Sequence, residues 1–229
     1  MMLIKCIGTG SSGNCYLVNL GSGWIILDFG VNPNKVLLEI NLNDVDFGFL
    51  SHEHSDHNKF ISRFKGFPII RGNLIQDFKK ISNFDEFEGK YQIWCFPLKH
   101  GDVKNSGIII KSMMTKETLL YATDFTVCKY NLKSFKPDVV MVECNYLKSN
   151  VLNSKENVYR TVENIDRHLD LEGCIKFLKT LDLSNCKEII LMHQSLMYGD
   201  EDSFANVIYE KFKIKTGVCQ RFGGIRYYG

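Results

Sequence analysis

No apolar run in the chain approaches the roughly 18 residues that a membrane-spanning helix needs. The opening Met1-Met2-Leu3-Ile4-Lys5 is too short for the apolar core of a signal peptide, so a soluble protein that is not exported is expected. The eight cysteines form no Cys-x-x-Cys pair and no small-domain spacing pattern, which excludes a disulfide framework. Reduced thiols in a cytoplasmic compartment are the simplest expectation, with Cys15, Cys95 and Cys144 acting as small hydrophobes in apolar surroundings. Excess charge of either sign is also missing. The net charge of +2 speaks against a dedicated duplex-binding surface, though it leaves room for a local basic pocket around a phosphodiester. The glycine-rich stretch Gly8-Thr9-Gly10-Ser11-Ser12-Gly13-Asn14-Cys15 is neither Gly-x-Gly-x-x-Gly nor a P-loop, because no Lys-Ser/Thr follows it. It reads as a hairpin loop that can offer Ser12 or Asn14 at the rim of a site. Repeats, low-complexity tracts and linkers are absent too, and 229 residues suit a single domain over 1–229.

What the chain does have is Ser51-His52-Glu53-His54-Ser55-Asp56-His57, directly after the apolar run Val45-Asp46-Phe47-Gly48-Phe49-Leu50. Such a run reads as a buried strand that delivers polar side chains at its carboxyl end. Imidazoles and carboxylates suit Zn²⁺, Mn²⁺ or Fe. His52 and His54 are two apart, so an extended backbone points both the same way. If a helix follows, Asp56 and His57 can face a second ion about 4 Å from the first, the spacing of two-metal hydrolases.

The same pattern recurs along the chain. Tyr16–Asn19 and Trp24–Leu27 read as paired strands, and the second ends in Asp28, placed to orient a metal-ligating histidine. A helix is expected over residues 35–42, begun near Pro33, and another over residues 58–65. The strand Tyr91–Leu98 leads to His100, Leu119–Ala122 closes on Asp124, and Asp138–Val142 ends in Glu143. Residues 149–168 read as a polar, irregular lid. A helical period runs from Leu169 to Leu181, Ile189–Met192 delivers His193, and a helix over Glu201–Phe212 precedes a terminal strand. Tyr146, Tyr198 and Phe222 are candidates for stacking on a nucleobase. Strand ends that keep supplying polar groups suit a layered α/β sandwich with its site at one edge.

Taken together, His52-x-His54-x-Asp56-His57, His100, Asp124 and His193, with Asp28 before them, resemble the signature of the metallo-β-lactamase superfamily along nearly the whole chain. The resemblance implies an α/β fold, a four-layer αββα sandwich, holding two Zn²⁺ ions, with Mn²⁺ or another divalent metal as the alternative. It assigns His52, His54 and His100 to the first metal, Asp56, His57 and His193 to the second, and Asp124 to both. An aspartate at 124, where β-lactamases carry cysteine, is similar to the phosphodiesterase and hydrolase branches.

Gly10–Cys15 and Glu143-Cys144-Asn145 resemble the YycJ/WalJ-like group of bacterial and phage proteins. Arg167-His168-Leu169-Asp170, 25 residues before His193, resembles the histidine motif of tRNase Z enzymes, although Leu169-Asp170-Leu171-Glu172 departs from that family's small and hydroxyl residues. The chain is also similar to phage anti-Pycsar enzymes, zinc phosphodiesterases that open cyclic nucleotides. These resemblances imply catalytic roles for Asp56, which orients or deprotonates the nucleophile, and for His168 at the scissile phosphate. They imply a small nucleotide as substrate, with single-stranded nucleic acid next, and a homodimer in which residues 146–166 reach a neighbour's site. A YycJ-like nuclease, a thioester or lactone hydrolase, and a metal-binding scaffold with little catalysis are the other expectations.

Overall fold

A computed structural model of the chain describes residues 2–81, 89–153, 165–219 and 227–228. Strands β1 (Leu3–Gly8), β2 (Cys15–Asn19), β3 (Trp24–Leu27), β4 (Val45–Leu50) and β5 (Ile69–Arg71) lie side by side in chain order, with β13 (Tyr227–Tyr228) outside β1. The second sheet runs in reverse chain order: β12 (Lys215–Val218), β11 (Glu188–Met192), β10 (Val139–Glu143), β9 (Thr118–Ala122), β8 (Val103–Ser112), β7 (Tyr91–His100) and β6 (Lys79–Ile81).

The continuous apolar runs have a simple cause: both faces of most strands are covered. Tyr16, Val18, Phe47, Phe49, Ile108, Ile110, Tyr121, Met141 and Ile190 point between the sheets and form the central core. Their alternates point outward. Leu17, Ile26 and Leu50 pack with Val36 of helix α1 (Pro33–Leu37) and with Phe29. Ile109, Leu120, Val140 and Leu191 pack under α4 (Leu171–Lys179) and α5 (Glu201–Phe212), through Cys174, Leu178, Phe204 and Ile208. Three apolar clusters between four layers make the αββα sandwich that the sequence led us to expect. Among the described residues, no helix is long and apolar enough to cross a membrane, and all eight cysteines are free thiols.

Strand direction places the site. β3, β4 and β5 run parallel, as do β9, β10, β11 and β12. β7 and β9 are both antiparallel to β8 and therefore share a direction. The carboxyl ends of β3, β4, β7, β9, β10 and β11 converge on one edge, where open α/β sheets bind their ligands.

Three local expectations are corrected. α1 ends at Leu37, short of the expected Leu42, and Asn32 caps it by accepting from Asn34 N. In place of a helix over 58–65 there is one turn, α2 (Ser55–Asn58), and then a 3-10 turn at Ile61–Arg63. Tertiary bonds claim its backbone: Asn14 N donates to Asp56 O, Phe29 N to His57 O and Phe60 N to Phe29 O. The approach is so close that a side chain on Gly30 would collide with Asp56 O and Asn14 N. Residues 149–152 of the expected irregular lid lie in helix α3 (Lys148–Leu152), held by burial of Val151 against Tyr146 and Tyr198. Residues 154–164 of that lid lie outside the described residues.

Candidate metal centre

His52 and His54 leave β4 on extended backbone, and His54 caps the single turn that carries Asp56 and His57. His100 is the last residue of β7, and Asp124 and His193 follow β9 and β11. Donor atoms of His52, His54, His100 and Asp124 lie within 4.8 Å of one another, as do those of Asp56, His57, Asp124 and His193. All seven residues that the resemblance assigned to metal are thus brought together. Their spacing suits a cation. Ligands about 2.0–2.1 Å from a tetrahedral ion stand roughly 3.3 Å apart. His54 Nδ1 and His100 Nε2 are 3.1 Å apart. His57 Nε2 is 3.4 Å from Asp56 Oδ2 and 3.3 Å from Asp124 Oδ2, and His193 Nε2 is 3.3 Å from Asp56 Oδ2.

A single acceptor fixes the ring orientations. Asp28 Oδ1 accepts from Ser51 N at 2.7 Å, and Oδ2 accepts from His57 Nδ1 at 2.7 Å, Ser51 Oγ at 3.0 Å and Tyr121 Oη. With its proton given to Asp28, Ser51 Oγ accepts from His52 Nδ1 at 3.0 Å. His100 Nδ1 donates to the Arg167 carbonyl at 2.8 Å. His52 and His100 therefore turn a bare Nε2 toward the cluster, while His57 aims its Nε2 at Asp56 and Asp124. His52 Nε2 is buried there with no hydrogen-bond partner, a cost that a bound cation removes. This orphaned atom and the imidazole–carboxylate donor set fit Zn²⁺ or a similar divalent metal.

Backbone strain marks the same place. Asp28, Asp124 and His193 have φ of 61°, 53° and 52°, left-handed values for residues with a side chain. Each ends a buried strand and turns its side chain into the cluster.

Charge is divided between the two halves. Burial pushes the His52 pKa well down, aided by the His57 charge, and burial lowers His54 as well. It takes His100 down to about 4, so these three rings are neutral and ready to ligate. Burial also opposes charge on His57, but Asp124 and Asp28 overcome it and raise the pKa well above the usual histidine value. Burial likewise opposes ionisation of Asp56 and Asp124. For both carboxyls His193 and His57 prevail and hold the pKa well below the usual range.

His168 does not sit among the seven but beside them. Its ring stacks on His193 with centroids 5.2 Å apart and meets His100 at 5.5 Å. Its Nδ1 donates to Oε1 of Glu143, a fully buried carboxylate whose Oε2 accepts from Phe125 N and Leu169 N. Burial opposes the His168 charge, yet Glu143, with smaller help from Asp124 and Asp56, raises its pKa to about 9. Glu143, His168, Asp124 and His193 form a third donor group by distance. Both Glu143 oxygens are engaged, so we read it as the holder of His168.

Sequence reading assigned no role to Glu143, nor to Tyr121 or Asn145. Asn145 Nδ2 donates to His193 O at 2.6 Å. Asn14 does turn inward, its Nδ2 lying 3.2 Å from Asp56 Oδ2 and 3.0 Å from His57 Nε2, whereas Ser12 is exposed. Of the stacking candidates, Tyr198 is corrected, being buried with Tyr146 and Val151 against α3, whereas Tyr146 also lines a cavity beside His168. Phe222 lies outside the described residues.

Asp28→Asn tests the orientation network. Asparagine tolerates the left-handed backbone, so the change removes charge and one acceptor atom and spares the turn. Metal affinity should fall about 10–100-fold in competition with a chromophoric chelator; unchanged affinity would show that Asp28 does not set the rings.

Residues 8–65 match the family profile described as Metallo-beta-lactamase superfamily. The uncharacterized protein sll0514 of Synechocystis is 25% identical over 170 residues, which are 61% of this chain and 31% of that protein. The chain thus spans about a third of the length of the curated relative it matches. Among solved structures, the metallo-beta-lactamase fold protein YhfI from Bacillus subtilis superposes with a TM-score of 0.72 at 16% identity, covering 99% of both chains. The short form of human tRNase Z gives 0.63 at 11% identity, covering 99% of this chain and 98% of that one. Yeast PDE1 gives 0.63 at 11%, covering 95% and 97%. The chain carries the metallo-β-lactamase fold, whose members include metal-dependent hydrolases such as tRNase Z and phosphodiesterases.

Proposed function

We propose that this chain is a phosphodiester hydrolase that uses two divalent metal ions, Zn²⁺ first, and that its substrate is a cyclic mononucleotide. The observation that carries the reading is a complete set of seven converging donors with a carboxylate-held histidine beside it. The metals, when bound, supply a water ionised near neutral pH and neutralise phosphate oxygens. His52, His54 and His100 would hold one and Asp56, His57 and His193 the other, with Asp124 shared.

The chain's own residues divide the remaining work. Asp56, ionised and 3.3 Å from His193 Nε2, orients the attacking water, whose proton passes to solvent. The water oxygen bonds to phosphorus, and the bond from phosphorus to the ester oxygen breaks with its electrons on that oxygen. His168 protonates the leaving oxygen and recovers its proton from solvent. Glu143 keeps the ring charged and aimed. We take the protein to act in the cytoplasm of a bacterium or an infected host, as a homodimer and free of membrane, a reading that the resemblance to compact phage enzymes supports.

A nuclease acting on single strands is the second reading, favoured by the shared fold with tRNase Z. A scaffold without chemistry leaves the acid pair and the complete donor set unexplained. Purified protein should be incubated with cyclic mononucleotides, single- and double-stranded DNA, RNA and a generic phosphodiester, each with and without chelator. Metal-dependent opening of cyclic nucleotides is the expected result. Cleavage of polymers with inert cyclic nucleotides would put the nuclease first, and inertness toward every phosphodiester would end the reading.

A further inference from the structure

His168 is shared by two environments. One face of the problem is the donor cluster, through its stack on His193. The other is a cavity of about 230 Å³ that His168 also lines. The walls of this cavity are mixed. Tyr146, Ile165 and Leu169 give apolar surface, while Lys148, Lys176, Asp170 and Glu172 bring two cations and two carboxylates. Asp170 is occupied as the cap of α4, accepting from Gly173 N at 2.7 Å, and Glu172 lies 3.9 Å from Lys176.

Size and charge both restrict the occupant. A groove that tracks a polynucleotide carries an excess of cations along the backbone, and here two lysines are matched by two carboxylates, which leaves the His168 ring alone as a further positive group. The volume falls below the ~300–1,000 Å³ of pockets that enclose drug-sized ligands, which leaves room for a single ring system with its sugar. Apolar walls beside hydrogen-bonding groups suit such a body, flat on its faces and polar at its edges. We propose that this cavity receives the nucleoside that carries the leaving oxygen, so that His168 stands where nucleoside and scissile phosphate meet. The proposal rests on the phosphodiesterase reading and deepens it, because it selects a mononucleotide over a polymer and locates its nucleoside.

The test is a calorimetric titration of the metal-loaded full chain with AMP, UMP and inorganic phosphate. Phosphate reports the metals alone, and the nucleotides report metals and cavity together. Ile165 is 38% exposed at the cavity wall, so Ile165→Trp adds bulk there without filling the core. Expected is a rise of tenfold or more in Kd for both nucleotides, with phosphate affinity within twofold and metal content unchanged. The proposal is overturned if nucleotides and phosphate weaken together, if nucleotide affinity ignores the substitution, or if the parent binds AMP no better than phosphate. Should Ile165→Trp misfold, Lys176→Trp, at a residue whose side chain is largely exposed, carries the same criteria. The phosphodiesterase reading fails separately: a parent that binds AMP through the cavity but hydrolyses no phosphodiester keeps the nucleoside pocket and loses the reaction.

Discussion

Asp124→Asn lowers turnover by about 10³-fold or more and takes at least one metal equivalent out of the protein. Asp124 belongs to every donor group at the site, with Oδ2 3.3 Å from His57 Nε2 and 3.8 Å from His52 Nε2, and Oδ1 3.5 Å from His193 Nε2. Among the described residues it is the one carboxylate that faces both halves of the centre. Asparagine keeps the volume and tolerates the φ of 53°, so the fold and the hydrogen bond from Thr123 Oγ1 survive. What disappears is a buried negative charge between the two halves of the donor cluster. Metal-derived stabilisation of a phosphoryl transition state is worth several kcal/mol, and a loss of about 4 kcal/mol corresponds to about 10³-fold in rate. Elemental analysis and initial rates on the best phosphodiester decide the matter. A variant with two metals per chain and a tenth or more of parental turnover would show that Asp124 is not shared.

How much of this was legible in one dimension follows from strand geometry. The seven donors and Asp28 could be read because Asp28, His52, His100, Asp124 and His193 follow short apolar runs, with His54, Asp56 and His57 close behind His52, and parallel neighbours bring such ends to one edge. The four layers could be read for a related reason. Runs such as Ile108-Ile109-Ile110 and Val139-Val140-Met141-Val142 have both faces apolar, which requires cover on both sides. Tyr121 could not be read. It sits inside an apolar strand, and its hydroxyl matters only because the two sheets face each other and bring it to Asp28.

Glu143 shows the limit most clearly, since it ends its strand as Asp124 follows its own. Its role depends on His168, 25 residues later, swinging back over β10 to meet it, a contact that no spacing rule supplies. Tyr198 failed in the opposite sense. An aromatic beside a site motif looks like a stacking platform, but satellite packing around Val151 claims its ring. The helix expected over 58–65 failed because propensity is local, whereas the bonds that stop α2 come from residues 14 and 29.

His168→Ala and Glu143→Gln should each reduce kcat by about 10²-fold while leaving metal content intact, the range of one positioned acid–base group. The two losses should not add. Glutamine cannot hold the imidazolium as the carboxylate does, so the double variant ends near the level of His168→Ala alone. The pH profile separates this from a structural role. A general acid works when protonated, so turnover falls as pH rises through the His168 pKa. Glu143 raises that pKa to about 9 in the metal-free protein, and nearby cations bring it down, so the alkaline limb lies below 9. That limb should move to lower pH in Glu143→Gln and vanish in His168→Ala. A substrate with a better leaving group should narrow the deficit of both variants, since its departing oxygen needs less help from a proton. Parental turnover in His168→Ala, or an alkaline limb unmoved in either variant, would leave the Glu143–His168 pair as a packing contact with no part in proton transfer.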